Sequence, residues 1–207
     1  LILVEDHLTG FLQALNGCKK AGLKLIFGLR MLVCNDTKQE DLEKSIHKVI
    51  IFPKSSEGCK ILNQLSTCAQ TQNNGVLDFS IINKMWDKNH LKMVIPFYDS
   101  FIFNNCLKFG NCIPDFSQIS PEFIIESNQL PFDSVIKNLV ESFCKNNNLK
   151  TLNAKSIYYN TRDDFDSYVA YKCICNRKQF SSSLDKPNFD HLGSREFCLE
   201  SWIEQSR

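Results

Sequence analysis

The spacing of apolar residues changes twice within the first 34 residues, and this change limits the folds open to the chain. Residues 1–4 form a short apolar run that predicts a strand, and residues 9–21 carry apolar side chains at helical spacing. Residues 23–34 are apolar again and end at Asn35-Asp36, which predicts a second strand. A strand, a helix and a strand in so short a segment form a βαβ unit, whose two strands run parallel in one sheet.

The alternation of strands and helices continues along the chain. Further strands are predicted over residues 47–52, 91–97, 122–126 and 149–157, and further helices over residues 57–70, 78–86, 101–109, 131–145 and 161–175. A polar loop is predicted over residues 179–193, and a short last element over residues 196–203. Because no linker interrupts this order, residues 1–207 are predicted to form a single α/β domain with a mostly parallel sheet.

The apolar positions of two helices predict which faces are buried. The residues predicted to face the core are Leu8, Phe11, Leu12 and Leu15 in the first helix, and Val135, Ile136, Leu139 and Val140 in the helix over residues 131–145. These residues recur every three or four positions, so they share one side of their helix.

Composition and motifs exclude several classes of function. The chain has 24 basic and 23 acidic residues, so its bulk charge does not favour nucleic acid or a membrane surface as a partner. Its ten cysteines show no Cys-x-x-Cys spacing, and we interpret them as reduced, buried thiols in a cytoplasmic protein. The chain contains no His-Glu-x-x-His, Gly-x-Ser-x-Gly or phosphate-binding glycine loop.

Asp6 and His7 directly follow the first predicted strand. The carboxyl ends of parallel strands are where functional residues collect, and an Asp-His pair at such an end can hold a divalent metal. The same pair can be an exposed helix start, and the residues alone favour that interpretation. A second acidic group, Asp163, Asp164 and Asp166, is predicted to cap the helix that begins there rather than to bind metal.

Several segments match one known family in order along the chain. Residues 4–10 read Val-Glu-Asp-His-Leu-Thr-Gly, and residues 18–29 read Cys-Lys-Lys-Ala-Gly-Leu-Lys-Leu-Ile-Phe-Gly-Leu. Further matching segments are residues 47–58, 163–175, 185–188 and 196–201. Together they resemble the PHP (polymerase and histidinol phosphatase) domain of bacterial DNA polymerase III alpha subunits. The resemblance implies a distorted (β/α)7 barrel, here a divergent fragment of a longer chain that lacks its first strand.

The resemblance also implies a damaged metal site. In active PHP domains a ring of His, Asp, Glu and Cys ligands holds two or three metal ions. The positions that remain as metal candidates are Asp6, His7, His47 and Asp99, whereas Arg30, Ser156 and Tyr158 replace expected ligands. Because a guanidinium keeps its charge at all usable pH values, Arg30 is expected to occupy the old metal cavity and to pair with Asp6 or Asp99. The site is therefore expected to bind no metal cofactor and to have no catalytic residue.

The resemblance implies a structural or interaction role in DNA replication. The DNA-directed DNA polymerase (nucleotidyltransferase) activity would reside in a downstream part of the chain. Expected partners are that polymerase module and a proofreading exonuclease subunit, with DNA bound through the full polymerase and no membrane partner. Two alternatives stay open: a metal-dependent phosphoesterase or 3′–5′ exonuclease that uses zinc or manganese, and a free-standing binding domain on the same fold.

Overall fold

The computed structural model describes residues 1–72, 74–175 and 193–206. Within these ranges the fold is mixed α/β, with a curled half-barrel sheet whose strands are mostly parallel. The chain divides into two compact units, the first made of Leu1–Ile124 and Leu139–Leu152, the second of Ile125–Asn138 and Asn153–Arg207. The mostly parallel α/β sheet is confirmed, while the complete PHP barrel and the single domain stay predictions.

The strands alternate with helices, as the apolar spacing predicts. The strands are β1 (Ile2–Glu5), β2 (Ile26–Cys34), β3 (His47–Pro53), β4 (Val76–Asp78), β5 (Leu91–Ile95), β6 (Glu122–Ile125) and β7 (Lys150–Asn153). The helices are α1 (Phe11–Lys20), α2 (Leu42–Ser45), α3 (Ser56–Gln72), α4 (Phe79–Met85), α5 (Phe101–Leu107), α6 (Asp133–Asn146), α7 (Phe165–Cys175) and α8 (Leu199–Gln205). Short 3-10 turns at Leu8–Gly10 and Arg162–Asp164 lead into α1 and α7. The strand β4 has no counterpart among the predicted elements, because its three residues are too few to show a period.

The direction of β3 distinguishes this sheet from a fully parallel one. The strands follow the order β1-β2-β3-β5-β6-β7, with β4 also paired to β2. The pairs β1–β2, β2–β4 and β5–β6 are parallel, but β3 is antiparallel to both β2 and β5. As a result the first residue of β3, His47, lies opposite Val33 near the carboxyl end of β2.

One edge of β2 is shared by two strands. Leu29 pairs with both β1 and β3, and Leu32 pairs with both β3 and β4. Because a strand has two edges, β1 and β4 must occupy the same one, end to end. Between them, Arg30 and Met31 have no described strand beside them on that edge.

The two faces of the sheet differ in chemistry because side chains alternate along each strand. The buried residues of one face are Leu29, Met31, Val33, Val49, Ile51, Leu91, Met93 and Ile95. In the same unit, Phe101 and Phe123 pack against Phe143 of α6, with ring centroids 5.2 and 5.6 Å apart. The alternate positions of the central strands include Arg30, Lys48 and Lys92, which are only partly buried. The second face thus combines buried residues such as Ile50 and Val94 with partly buried charge, which the first face lacks.

The ends of two helices agree with the sequence. Lys19 and Lys20 lie in the last turn of α1, and Gly22 follows it with φ 67°, a left-handed conformation that glycine adopts without strain. Before α7, Thr161 and Asp164 form a reciprocal capping box, which confirms the predicted capping role for Asp164.

Two predicted helix faces are wrong in part. In α1 only Cys18 is buried, whereas Leu8, Phe11 and Leu12 are all more than one-third exposed. In α6, Ile136 and Val140 are buried, but Val135 and Leu139 are 50% and 41% exposed. The buried stripe of α6 continues to Cys144, so the helix is rotated away from the predicted face.

The second unit contains a charged cluster around one arginine. Arg162 donates hydrogen bonds from Nε and Nη2 to Glu196 at 2.8 and 2.9 Å, and also pairs with Glu200 and Glu204. An isolated parallel bridge joins Tyr159 to Cys198. The loop predicted over residues 179–193 and the matching segment 185–188 lie outside the described residues, apart from Gly193.

No helix in the described ranges is both long and apolar enough to cross a membrane.

Candidate functional site

A cavity of about 320 Å³ is lined in part by the residues of β2 that lie between the end of β1 and the start of β4. Its polar lining comes from Asp6 and His7 after β1, Arg30 of β2, Lys48 of β3, Ser66 and Gln70 of α3, and Asn74 before β4. All of these residues belong to the first unit. The cavity therefore forms because two short strands share an edge of β2 without meeting.

Asp6 and Arg30 form an ion pair at one side of this cavity. Glu5 and Leu29 are the last register partners of β1 and β2, so the next residues, Asp6 and Arg30, come side by side. The Arg30 Nε lies 3.6 Å from Asp6 Oδ1, with the arginine side chain 21% exposed and the aspartate side chain 64% exposed. The expected pairing of Arg30 with Asp6 is confirmed. His7 lines the same cavity and is exposed.

Asp99 is held between two lysines. Lys48 Nζ lies 2.9 Å from one of its carboxylate oxygens, and Lys108 Nζ lies 2.6 Å from the other. Burial acts to raise the pKa of Asp99, but the charges and hydrogen bonds of Lys48 and Lys108 outweigh it and hold the pKa below its usual value. A metal ion at Asp99 would have to displace two ammonium groups.

His47 packs in an apolar environment and does not line the cavity. Its ring stacks on Phe79 at a centroid distance of 5.9 Å and meets the edge of Phe101 at 5.7 Å. Nδ1 lies 3.4 Å from the carbonyl oxygen of Ser45, and Nε2 has no hydrogen-bond partner among the described residues. Burial lowers the pKa of His47 to about 4. His47 and Lys48 are adjacent in β3, so their side chains leave on opposite faces, and His47 does not join the other metal candidates Asp6 and His7 in the cavity lining.

Ser156 and Tyr158 lie in the second unit and have local partners there. The backbone N–H and hydroxyl of Ser156 donate to the Glu126 carboxylate at 2.8 and 3.1 Å. Burial raises the pKa of Glu126 despite these hydrogen bonds and one from Asn128. Tyr158 stacks on Tyr168 and Phe197.

Sequence reasoning missed three residues that shape these sites. Lys48 and Lys108 neutralise Asp99, and Glu126 accepts the hydrogen bonds of Ser156. Lys48 could not be found from spacing, since it reaches Asp99 across 51 positions of sequence. For Glu126, the only indication in the sequence was its position at the end of the strand predicted over residues 122–126.

The donor set does not fit a bound metal. In the described part of the chain, no group of three or more His, Cys, Asp or Glu side chains is arranged to hold a metal ion. Asp6 faces a guanidinium, Asp99 faces two ammonium groups, and His47 is packed among phenylalanines. The cavity lining has two cationic side chains, Arg30 and Lys48, against one carboxylate, Asp6, so it does not suit a metal cation.

Neither protein-family models nor curated proteins give a match to this chain. The PHP resemblance therefore depends on the order of motifs in the sequence.

Proposed function

We propose that this chain is a degenerate PHP-like domain of a replicative DNA polymerase III alpha subunit, with a structural or interaction role. The family part of the proposal is supported by the motif order, which begins with the Asp6-His7 strand end and the Cys18 to Gly22 helix end. The βαβ unit formed by β1, α1 and β2 is consistent with it. A PHP barrel would be built from repeats of such a strand-helix-strand unit.

The observation that supports loss of catalysis is the neutralisation of the acidic candidates. A divalent ion at Asp6 would lie within a few ångströms of the Arg30 guanidinium, and one at Asp99 would meet Lys48 and Lys108. Like charges at such distances repel by several kcal/mol in a partly buried site. Lysine and arginine thus supply the positive charge that metal ions supply in active relatives of the proposed family.

Metal analysis and hydrolysis assays test the loss of catalysis. We expect the purified chain to retain less than about one equivalent of zinc or manganese after desalting, since a structural site needs a full ligand set. We expect no metal-dependent hydrolysis of p-nitrophenyl phosphate or of a labelled single-stranded DNA 3′ end. Arg30→Glu should not create activity, because His47 stays packed and Asp99 stays paired.

The opposite result would favour the phosphoesterase or exonuclease alternative. Metal-dependent hydrolysis that His7→Ala abolishes would show that Asp6 and His7 work in a rearranged site. Cys59→Ser, on the exposed side of α3, is the matched control because Cys59 does not line the cavity.

Primer extension tests the DNA polymerase activity that we propose for the product of the complete gene. We expect the product of the complete gene to extend a primed DNA template and residues 1–207 alone to be inactive. A complete gene product without polymerase activity would contradict the polymerase assignment and favour a free-standing binding domain.

A further inference from the structure

We propose that Ser55, His90 and Asp87 form a hydrolytic site that cleaves small carboxylic esters through an acyl-serine intermediate. All three residues belong to the first unit, and none of them lines the cavity beside Arg30. The proposal goes beyond a structural role and does not depend on the PHP assignment.

The first argument is the contact between a serine hydroxyl and a histidine ring. Ser55 Oγ lies 2.7 Å from His90 Nδ1, although 35 positions of sequence separate the two residues. At this distance a general base can take the proton of a nucleophile. Ser55 directly precedes α3, and the backbone N–H of Gly58 donates to the same Oγ at 3.1 Å. A helix cap needs only this second hydrogen bond, so capping does not account for the histidine.

The second argument is the carboxylate on the far side of the ring. Asp87 Oδ2 lies 3.9 Å from His90 Nε2, and Asp87 Oδ1 accepts a hydrogen bond from the Asn89 N–H at 2.8 Å. Because the carboxylate lies beside Nε2, we assign the proton of the neutral ring to Nε2. Nδ1 can then accept the proton of Ser55. A separation of 3.9 Å exceeds hydrogen-bond distance but allows Asp87, as a positioning residue, to stabilise the imidazolium that forms.

Backbone contacts hold the two segments together. The N–H of Lys54 donates to the carbonyl oxygen of His90 at 2.8 Å, and its ammonium group donates to the carbonyl oxygen of Lys88 at 2.6 Å. Gly58 permits this close approach, because a Cβ at that position would overlap the His90 carbonyl oxygen. The distance between Ser55 and His90 therefore depends on the backbone as well as on the side chains.

The site is open to a small substrate and favours negative charge. The side chains of His90 and Asp87 are 36% and 40% exposed, and Ser55 is half-buried. Ser55 lies at the amino-terminal end of α3, a helix of 17 residues. The first N–H groups of a helix have no acceptor within it, and the helix dipole favours negative charge at this end. An ester carbonyl that meets Ser55 would develop its negative charge there.

The proposed reaction has two steps. Ser55 Oγ attacks the carbonyl carbon of the ester while its proton passes to His90 Nδ1. The bond to the leaving alcohol breaks, and the imidazolium gives its proton to the alcohol oxygen. A water molecule that loses a proton to the same nitrogen then attacks the acyl-serine, which releases the carboxylic acid and restores the Ser55 hydroxyl. Only the ester and water are consumed.

Hydrolysis of p-nitrophenyl acetate in EDTA tests the proposal. The parent protein carries Cys59→Ser and Cys106→Ser, so that exposed thiols do not react with the ester. We expect continuous release of p-nitrophenol. Ser55→Asn, which keeps a capping side chain and loses the hydroxyl, should lower the rate by about tenfold or more. His90→Gln, which cannot take a proton, should have the same effect.

Asp87→Asn tests the positioning role. Asparagine keeps an acceptor for the Asn89 N–H but removes the charge, so kcat should fall by about fivefold, as for an exposed ion pair, with KM unchanged. Asp87→Glu should restore part of kcat. A fall in kcat that Asp87→Glu does not restore, or an unchanged kcat in Asp87→Asn, would remove Asp87 from the site.

Labelling with a fluorophosphonate, followed by peptide mass spectrometry, locates the nucleophile. We expect the label on Ser55 and none on Ser55→Asn. Ser56→Ala is the matched control, because Ser56 is the exposed neighbouring serine, and it should keep both the label and the rate. A label on another residue, or equal rates in the parent protein and in Ser55→Asn, would overturn the proposal.

The outcomes separate this proposal from the previous one. Absence of ester hydrolysis would overturn the serine site and leave the degenerate-domain proposal intact, since that proposal concerns metal-dependent hydrolysis of phosphoesters. Ester hydrolysis that appears only with zinc or manganese would also overturn the serine site, and would count against the loss of metal binding as well.

Discussion

Three polar residues near β2 and β3 differ in how their polar atoms are satisfied. Asp99 has an ammonium group on each oxygen, Arg30 has a carboxylate just beyond hydrogen-bond distance, and His47 has a ring nitrogen without a described partner. Burial opposes the charged form of Asp99 and of His47, and of these two only His47 can lose its charge in the physiological range. The histidine is therefore neutral in the folded protein, and its protonation opposes folding.

The lowered pKa of His47 makes stability depend on pH. An unfolded histidine titrates near 6.5, so between pH 6.5 and about 4 the unfolded chain binds a proton that the folded chain does not. The stabilisation that comes from keeping His47 neutral is fully present above pH 6.5, and it is lost as the pH falls from 6.5 to about 4. Between pH 7 and 5 we expect His47 to reduce the free energy of unfolding by about 2 kcal/mol.

Urea unfolding at the two pH values measures this effect. His47→Phe, which keeps an aromatic ring beside Phe79, should remove most of the pH-dependent loss. Glu126 has a raised pKa and therefore contributes in the opposite direction, but it does so in both proteins and cancels in the comparison. The same pH dependence in wild type and variant would show that His47 is not the titrating group.

At the scale of elements, α6 shows why an apolar stripe does not by itself identify a buried face. The helix has apolar residues on more than one side, and a stripe through Val135 and Leu139 is as regular as one through Ile136 and Val140. The folded protein buries the second stripe, which continues into Phe143 and Cys144. Here Phe143 contacts Phe101 and Phe123, so packing in the first unit selects the rotation of this part of the helix.

Alanine substitutions in α6 test this rotation. Ile136→Ala should destabilise the protein by about 2–5 kcal/mol, as is typical of large-to-small changes at fully buried positions. Leu139→Ala, at a position that is 41% exposed, should cost under about 1 kcal/mol. Chemical denaturation gives both values from one pair of curves. Equal losses in the two variants would favour the face predicted from sequence.

At the scale of the whole molecule, the cysteines are distributed between core and surface. Buried thiols occur in both units, whereas Cys59 and Cys106 are exposed. Cys59 and Cys106 therefore depart from the prediction of buried thiols. Burial raises the pKa of Cys34 and Cys144 to about 11 and that of Cys112 to about 12, so these groups stay protonated at neutral pH.

Thiol labelling checks this distribution. Thiolate is the reactive form, so Ellman's reagent should react quickly with Cys59 and Cys106 in the native protein and slowly with Cys34, Cys112 and Cys144. The double variant Cys59→Ser, Cys106→Ser should lose two equivalents of the fast phase, and Cys34→Ser should lose none. A fast phase that falls in Cys34→Ser would mean that the carboxyl end of β2 is open to solvent.

The sequence predicted most elements of the first unit and one contact of the candidate site. The strand-helix-strand start, the end of α1 at Gly22 and the capping box at Thr161 follow from spacing and local chemistry. The Asp6–Arg30 pair followed from the family resemblance, and the register of β1 and β2 explains it. The position of His47 could not be predicted, because its face depends on how β3 pairs with β2.

The sequence alone determined where most of the strands and helices form, because the spacing of apolar residues is a local property that acts within each element. Only the tertiary structure decided that β3 runs against its neighbours and that β4 shares an edge of β2 with β1. Those choices depend on contacts between residues far apart in the chain, such as Lys48 with Asp99. The cavity beside Arg30 exists for the same reason, since no local pattern brings together β2, β3, α3 and the segments that follow β1 and precede β4.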